Sequence, residues 1–335
     1  MIAERKQRFV LITGGAGFVG SHLTRKLLAQ GDHVTVLDNL STGQATNMVG
    51  IDDHPNFEFH LGDVVSYPGF DDLVRASDLI VHLAAVVGVQ LVIEDPLGTL
   101  HTNIAGTEAV LESAARHGVK LMMASTSEVY GKSAALPFSE DADIVLGPTS
   151  RSRWGYAASK MVDEFLALAY HQQRGVPVVV FRLFNTVGPG QTGRYGMVVP
   201  RFVDAALRGE DLVIHDDGGQ RRCFMHVLDA VEAIDALSRC PEAVGKVFNL
   251  GSCEAVSILE LANKVIDKVA RVDGRRSGIS YLPYADVYGP GFEDMRAREP
   301  DTTKARTFTG WNPTRSLEDI LDDVIADKRE ALAVS

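Results

Sequence analysis

A doubly wound α/β fold, one parallel sheet with helices on both faces, is what this sequence of 335 residues predicts. Two observations predict it. Short runs rich in branched apolar residues recur without the apolar–polar alternation of a half-exposed sheet, which marks strands buried on both faces. Longer stretches with helical spacing separate them, and parallel strands need such crossovers.

Taken in order, "RFVLITGG" reads as the first strand and "VGSHLTRKLLAQG" as a helix that Gly31 ends. "HVTVLDN", "FEFHLGDV", "DLIVHLAA", "KLMMAST" and "VPVVVFRLFN" supply strands two to six. "PLGTLHTNIAGTEAVLESAARHG" and "GYAASKMVDEFLALAYHQQRG" read as long helices. Beyond Asn185 the rhythm breaks into glycine-rich loops, short helices and "DLVIHDDGGQRRCFMHV". That change predicts a smaller, discontinuous α/β lobe over the carboxyl edge of the sheet. "KVFNLGS" is expected to return one strand to the sheet. The expected division is a dinucleotide-binding domain over 1–183 with a returning segment near 224–255, and a substrate lobe from 184–223 and 256–335. "TVGPGQTGRYGMVVPRF" reads only as a loop and helix of that lobe.

Composition sets limits. Lys and Arg total 33 against 44 Asp and Glu, a net charge of −11. This disfavours a nucleic-acid surface, although a local arginine cluster could hold a phosphate. Cys223, Cys240 and Cys253 form no CxxC pair and no His/Cys ligand spacing, so a reducing compartment and no metal are expected. The opening "MIAERKQRFVLITGG" has a charged lead-in and too short an apolar stretch for a secretory signal. No run approaches the roughly 18 apolar residues of a membrane span. A soluble cytoplasmic protein is expected.

"ITGGAGFVGSH" follows the first strand and opens the first helix, with Gly15-x-Gly17-x-x-Gly20 extended by Gly14. Such a loop gives a tight turn, brings backbone close to a pyrophosphate and lets helix pack on strand, the Rossmann dinucleotide fingerprint. Phe18 and Val19 lie within it. Asp38, at the end of the second strand, is placed to accept hydrogen bonds from a ribose diol and to repel a 2′-phosphate, favouring NAD over NADP. Asn39 follows it, and Asp63-Val64 after the third strand is placed to meet the adenine. The bland alternative is a plain turn with Asp38 capping a loop.

Tyr156 and Lys160 stand four residues apart, on one helix face. A phenol is a weak base near neutral pH, but a nearby ammonium and a positive nicotinamide ring both favour phenolate. Thr126, at the end of the fifth strand, lies where the crevice of such a sheet opens and is expected to share a substrate hydroxyl with Tyr156.

The Gly14–Gly20 loop, "HLAA" (82–85), "STSEVYG", Tyr156-x-x-x-Lys160, "RLFN" (182–185) and "REPD" (298–301) together resemble the extended short-chain dehydrogenase/reductase family acting on nucleotide sugars. The resemblance spans nearly the whole chain. It implies NAD as cofactor, transient oxidation of a sugar at C4, and a homodimer paired through the long helices near 98–117 and 154–174. It implies Thr126, Tyr156 and Lys160 as catalytic, Leu83 and Ala84 beside the cofactor, Asn185 on the sugar-nucleotide phosphate, and Arg222 on nucleotide or phosphate.

Within that family, 4,6-dehydratases carry Asp-Glu after the catalytic hydroxyl residue, and simple 4-epimerases carry small uncharged residues. Ser127-Glu128 instead resembles the glucuronate decarboxylases, as do "RCF" (222–224) and "YGPGFEDMRAREPD", which puts an active-site arginine at Arg298. The implied activity is an NAD-dependent decarboxylase of a nucleotide-linked uronic acid, UDP-glucuronate above all, giving UDP-4-keto-pentose or UDP-xylose. The alternatives are a 4-epimerase of a UDP-hexose or uronate and a non-catalytic NAD sensor. Arg298 is expected to orient the carboxylate or an enolate oxygen, or else to bind diphosphate. Ser127 and Glu128 are expected to wall C5 and C6, with Glu128 excluding water, relaying a proton or repelling the carboxylate. His22, His82, His101, His226 and Trp154 are expected to pack.

Overall fold

The computed structural model describes residues 7–193, 196–289 and 292–334. The charged lead-in 1–6, Arg194 and Tyr195 of the glycine-rich segment, and Pro290 and Gly291 of the tail motif lie outside the described residues.

Six strands appear where the apolar runs place them: β1 (Phe9–Thr13), β2 (His33–Asp38), β3 (Phe57–Leu61), β4 (Leu79–His82), β5 (Lys120–Thr126) and β6 (Val178–Leu183). The strand Lys246–Leu250 returns to pair in parallel with β6, Lys246 opposite Val179. It completes a seven-stranded parallel sheet in which β1 lies between β4 and β2. Strand order therefore reverses between β1 and β4, and the crevice at a switch point opens at their carboxyl ends.

The helices are α1 (Phe18–Ala29), α2 (Phe70–Arg75), α3 (Val89–Glu94), α4 (Pro96–His117), α5 (Gly155–Arg174), α6 (Val198–Arg208), α7 (Val227–Ser238), α8 (Ile258–Asp273), α9 (Tyr284–Tyr288), α10 (Thr303–Thr309) and α11 (Leu317–Val334). Local chemistry sets their ends. Asp95 accepts a hydrogen bond from the Gly98 N–H at 2.9 Å ahead of α4, and Ser257 with Glu260 forms a reciprocal capping box on α8. Gly118 and Gly175 end α4 and α5 at φ 68° and 70°, where any side chain is strained.

One face of the sheet buries Ile12, Val36, Phe181 and Phe248 with Val231 and Ile234 of α7. The other buries Leu11, Ile80, Leu121 and Val180 with Val110 and Leu111 of α4 and Ala167 of α5. A further core gathers Phe202, Leu212, Leu261, Val265 and Ile320 away from the sheet. Ala305 and Trp311 join the sheet core although they fall within 256–335. The chain thus passes between sheet and lobe repeatedly, after β6, near Phe224, after Leu250, near Thr303 and before Leu317. In the lobe, Arg221–Cys223 pairs with Ala255–Ser257 on one side and with Ala297–Arg298 on the other. Among the described residues no helix is long and apolar enough to cross a membrane, and no group of three or more His, Cys, Asp or Glu is placed to hold a metal.

Candidate active site

A cavity of about 490 Å³ runs along the carboxyl edge of the sheet, between sheet and lobe. At one end it is lined by Gly14, Gly17, Phe18, Val19 and Gly20. The loop leaves no room for side chains. A Cβ on Gly14 would stand 2.6 Å from the Ala84 backbone nitrogen, and one on Gly20 2.4 Å from the Gly14 carbonyl oxygen. Gly17 precedes α1 without a side-chain cap, and the first turn of α1 holds no acidic residue. Its free N–H groups and positive end therefore face the cavity, the setting a pyrophosphate needs.

Asp38, Asn39, Asp63, Val64, Leu83 and Ala84 line the same end. Asp38 accepts hydrogen bonds from the Ala16 N–H at 2.9 Å and the Leu40 N–H at 2.8 Å. Burial pushes its carboxyl above the usual range, against those two bonds. Asn39 donates to Asp63 at 2.9 Å, tying the two turns together. The glycine cradle and the fixed carboxylate fit an adenosine diphosphate half with a free ribose diol.

Thr126, Ser127, Glu128, Tyr156 and Lys160 line the middle of the cavity. Tyr156 and Lys160 share the inner face at the start of α5 and both are buried. Thr126 ends β5, and its hydroxyl stands by the Tyr156 phenol and favours its ionised form. It also accepts from the Glu128 N–H at 3.3 Å. Lys160 donates to Asp163 at 3.1 Å, a pair buried at both partners. Ser127 is buried with no hydrogen-bond partner for its hydroxyl.

The phenol of Tyr156 corrects an expectation. It lies above its ordinary value: burial is the largest cause, the Glu128 carboxylate the second, and Asp163 adds to both. The Thr126 hydroxyl and the Arg298 guanidinium act in the opposite direction and lose.

At the far end Asn185, Arg222 and Arg298 complete the set. Asn185 donates to the Cys223 carbonyl at 3.0 Å. Arg298 stands opposite Arg222 in paired strands, so backbone register alone brings the two guanidiniums together. Burial, then the Arg298 charge, lowers Arg222 to about 10. Arg222 donates to Asp294 at 2.9 Å. Asp294 also pairs with Arg153 at 3.3 Å, and Arg153 binds the other side of the network through Glu128. Glu128 meets Arg298 at 3.4 Å. Burial would raise Glu128, yet the Arg153 and Arg298 guanidiniums outweigh it and hold the carboxyl below its usual range.

Residues 10–251 match the model of the family described as "NAD dependent epimerase/dehydratase family". The chain belongs to that family. NAD is the cofactor of this epimerase/dehydratase family, in agreement with the cradle and Asp38. Two curated relatives are each 39% identical to the chain. One is the UDP-N-acetyl-alpha-D-glucosaminuronate decarboxylase of Bacillus cytotoxicus, over 96% of this chain and 97% of that protein. The other is UDP-glucuronic acid decarboxylase 1 of Danio rerio, over 97% of this chain and 73% of that protein. The crystal structure of the UDP-glucuronic acid 4-epimerase of Bacillus cereus, with UDP-glucuronic acid and NAD, is 28% identical. It superposes with a TM-score of 0.85 over 96% of this chain and 99% of that one.

The epimerase/dehydratase motifs left three cavity residues unnoticed. Arg153 sits three positions before Tyr156 and is almost fully buried. Asp294 comes from the loop ahead of Arg298. Arg201, on α6, contacts His215 at 2.5 Å and lines the cavity, with no carboxylate among its hydrogen-bond partners in the described residues. His82 is a packing residue as expected: Thr13 holds it at 2.7 Å, and burial lowers it to about 3.

Proposed function

We propose that the chain is an NAD-dependent decarboxylase of a nucleotide-linked uronic acid, with UDP-glucuronate as the first substrate to test. The observation that carries the reading is the pairing of Glu128 with Arg298 beside Tyr156 and Thr126. A guanidinium at that wall suits a uronate carboxylate and has no counterpart on a neutral hexose. The two decarboxylase relatives support the same choice.

NAD, when bound, supplies the acceptor for the hydride at C4. Tyr156 takes the C4 hydroxyl proton, with Thr126 holding that oxygen in place. Its surroundings keep it a neutral phenol at rest, and a positive nicotinamide ring works against that hold. Lys160, fixed by Asp163, is placed to hold the nicotinamide ribose. Arg298 takes the C6 carboxylate and orients it as the C5–C6 bond breaks. Carbon dioxide leaves, the electron pair passes to the C4 oxygen as an enolate, and the Tyr156 and Thr126 hydroxyls stabilise that oxygen. C5 is then protonated on the Ser127–Glu128 side. Asn185, Arg222 and Arg201 bind the nucleotide diphosphate.

Incubation with UDP-glucuronate and NAD should release carbon dioxide and leave a pentose. A six-carbon product changed only at C4 would establish the alternative, a 4-epimerase, which the Bacillus cereus neighbour favours. UDP-N-acetylglucosaminuronate belongs in the same assay, since the two relatives differ at C2. Replacing Arg298 by Lys should lower turnover by about 100-fold, or about 2.7 kcal/mol, with substrate affinity little changed. A change in KM alone would assign Arg298 to diphosphate binding.

We also propose a homodimer. Leu97 on α4 and Val162 and Phe165 on α5 present apolar groups to solvent, Phe165 with 67% exposure. Adjacent helices with such a shared face suit pairing with a second copy. Phe165→Asp should shift the protein, measured by light scattering, to the mass of one chain. An unchanged mass would place the contact elsewhere.

A further inference from the structure

Arg153 has no part in the chemistry just described, yet its side chain is only 3% exposed and stands in the middle of the charge network. Its two terminal nitrogens serve different carboxylates. Nη1 donates to Glu128 Oε2, and Nη2 donates to Asp294 Oδ1 at 3.3 Å. Asp294 is itself fixed, by the Met295 N–H at 2.8 Å and by Arg222 at 2.9 Å. Arg153 is therefore anchored from behind, through a carboxylate that cannot swing away.

The two bonds to Glu128 are unequal. Oε2 is held closely by Arg153, while Oε1 meets Arg298 only at 3.4 Å. Arg298 also carries a buried Nε–H with no partner. Glu128 is thus satisfied mainly by Arg153, and Arg298 keeps donor capacity toward the cavity. The site holds three guanidiniums (Arg153, Arg222, Arg298) and two carboxylates (Glu128, Asp294), so one positive charge is left for an incoming anion.

We propose that Arg153 is a positioning residue: it holds Glu128 from behind, and so leaves Arg298 free to turn from Glu128 to the carboxylate of the substrate. This rests on the decarboxylase reading for the identity of that carboxylate. Without Arg153, Glu128 has Arg298 as its only close cation among the described residues. The pair closes, and the guanidinium is lost to the ligand. Removing the Glu128 charge as well releases Arg298 again. A buried ion left without its partner captures whichever counter-ion remains in reach.

The test compares binding of UDP-glucuronate with binding of UDP-glucose, which lacks the carboxylate, by calorimetry on the NAD-loaded protein. Arg153→Met should weaken UDP-glucuronate by about 30-fold and leave UDP-glucose within about threefold, because only the former needs Arg298. Arg153→Met combined with Glu128→Gln should regain most of the lost affinity. Arg153→Lys, which keeps a cation and the fold, should fall between wild type and Arg153→Met. Equal losses for the two ligands would overturn the proposal, as would a double variant in which the two losses simply multiply.

A pH profile gives a second readout. The groups facing Glu128 are Arg153 from the turn before α5, Tyr156 from the first turn of α5, Arg298 from its strand and Asp294 from the preceding loop. Arg153 helps keep Glu128 ionised, so without it the carboxyl moves up, and lowering the pH neutralises Glu128 and restores UDP-glucuronate binding to Arg153→Met. An affinity of Arg153→Met that does not recover as the pH falls counts against the proposal. A wild-type protein that binds UDP-glucuronate preferentially but releases no carbon dioxide would overturn the decarboxylase reading and leave the role of Arg153 standing.

Discussion

Replacing Tyr156 by phenylalanine should lower turnover by about 10³-fold, close to 4 kcal/mol of transition-state stabilisation, while NAD remains bound. The substitution removes one oxygen and keeps the ring, whose packing at the start of α5 is buried. No backbone contact of the glycine loop depends on it. The phenol is flanked by Thr126, Glu128 and Asp163. In the proposed mechanism its loss removes the proton acceptor for the C4 hydroxyl without disturbing the cradle. Two measurements check this: fluorescence titration of NAD and a progress curve with UDP-glucuronate. Loss of NAD affinity with turnover retained at saturating cofactor would reassign Tyr156 to binding. The phenol also predicts the direction of pH dependence. Burial and Glu128 hold it protonated, so turnover should rise with pH on the alkaline side of neutrality until another group intervenes.

Replacing Glu164 by leucine should destabilise the fold by about 3–5 kcal/mol, more than any other single exchange proposed for this chain. Glu164 accepts from Arg182 at 2.9 and 2.7 Å, a two-pronged pair buried at both ends. It also accepts from the Ser125 hydroxyl. Leucine leaves the Arg182 guanidinium in the interior without a carboxylate, in contact with the Tyr130 ring at 4.7 Å and the Glu140 carbonyl at 3.5 Å. The urea midpoint should fall accordingly. Pairing Glu164→Leu with Arg182→Met should recover most of the loss, because both charges are then gone. If the single exchange is tolerated, water reaches the pair and it is not dry. Ser125 precedes Thr126 in β5, so the variant should also blunt turnover through the placement of the Thr126 hydroxyl.

The sheet and the glycine loop were legible because their signals are local. A strand buried on both faces announces itself within six residues, and the turn that cradles a pyrophosphate admits no Cβ. Tyr156 and Lys160 were legible for the same reason, as one helix turn joins them. Arg153 was not. "RSRW" holds Arg151 and Arg153 two apart, one exposed and one buried, and nothing in composition tells them apart. Burial is decided by Asp294, 141 positions away in the chain. Asp163 and Glu164 are neighbours that serve different partners, Lys160 and Arg182, on different sides of α5. The expectation about the Tyr156 phenol failed in the same manner. It weighed the cation four residues along and had no means of weighing Asp163, which takes that cation, or Glu128, which comes from another strand end.

The repeated passage of the chain between sheet and lobe bears on how ligands travel. A jaw that opens on one hinge needs few covalent ties, and here five stretches of backbone cross the gap. Those five ties resist the parting of sheet and lobe, so ligands enter and leave past the side chains at the cavity rim.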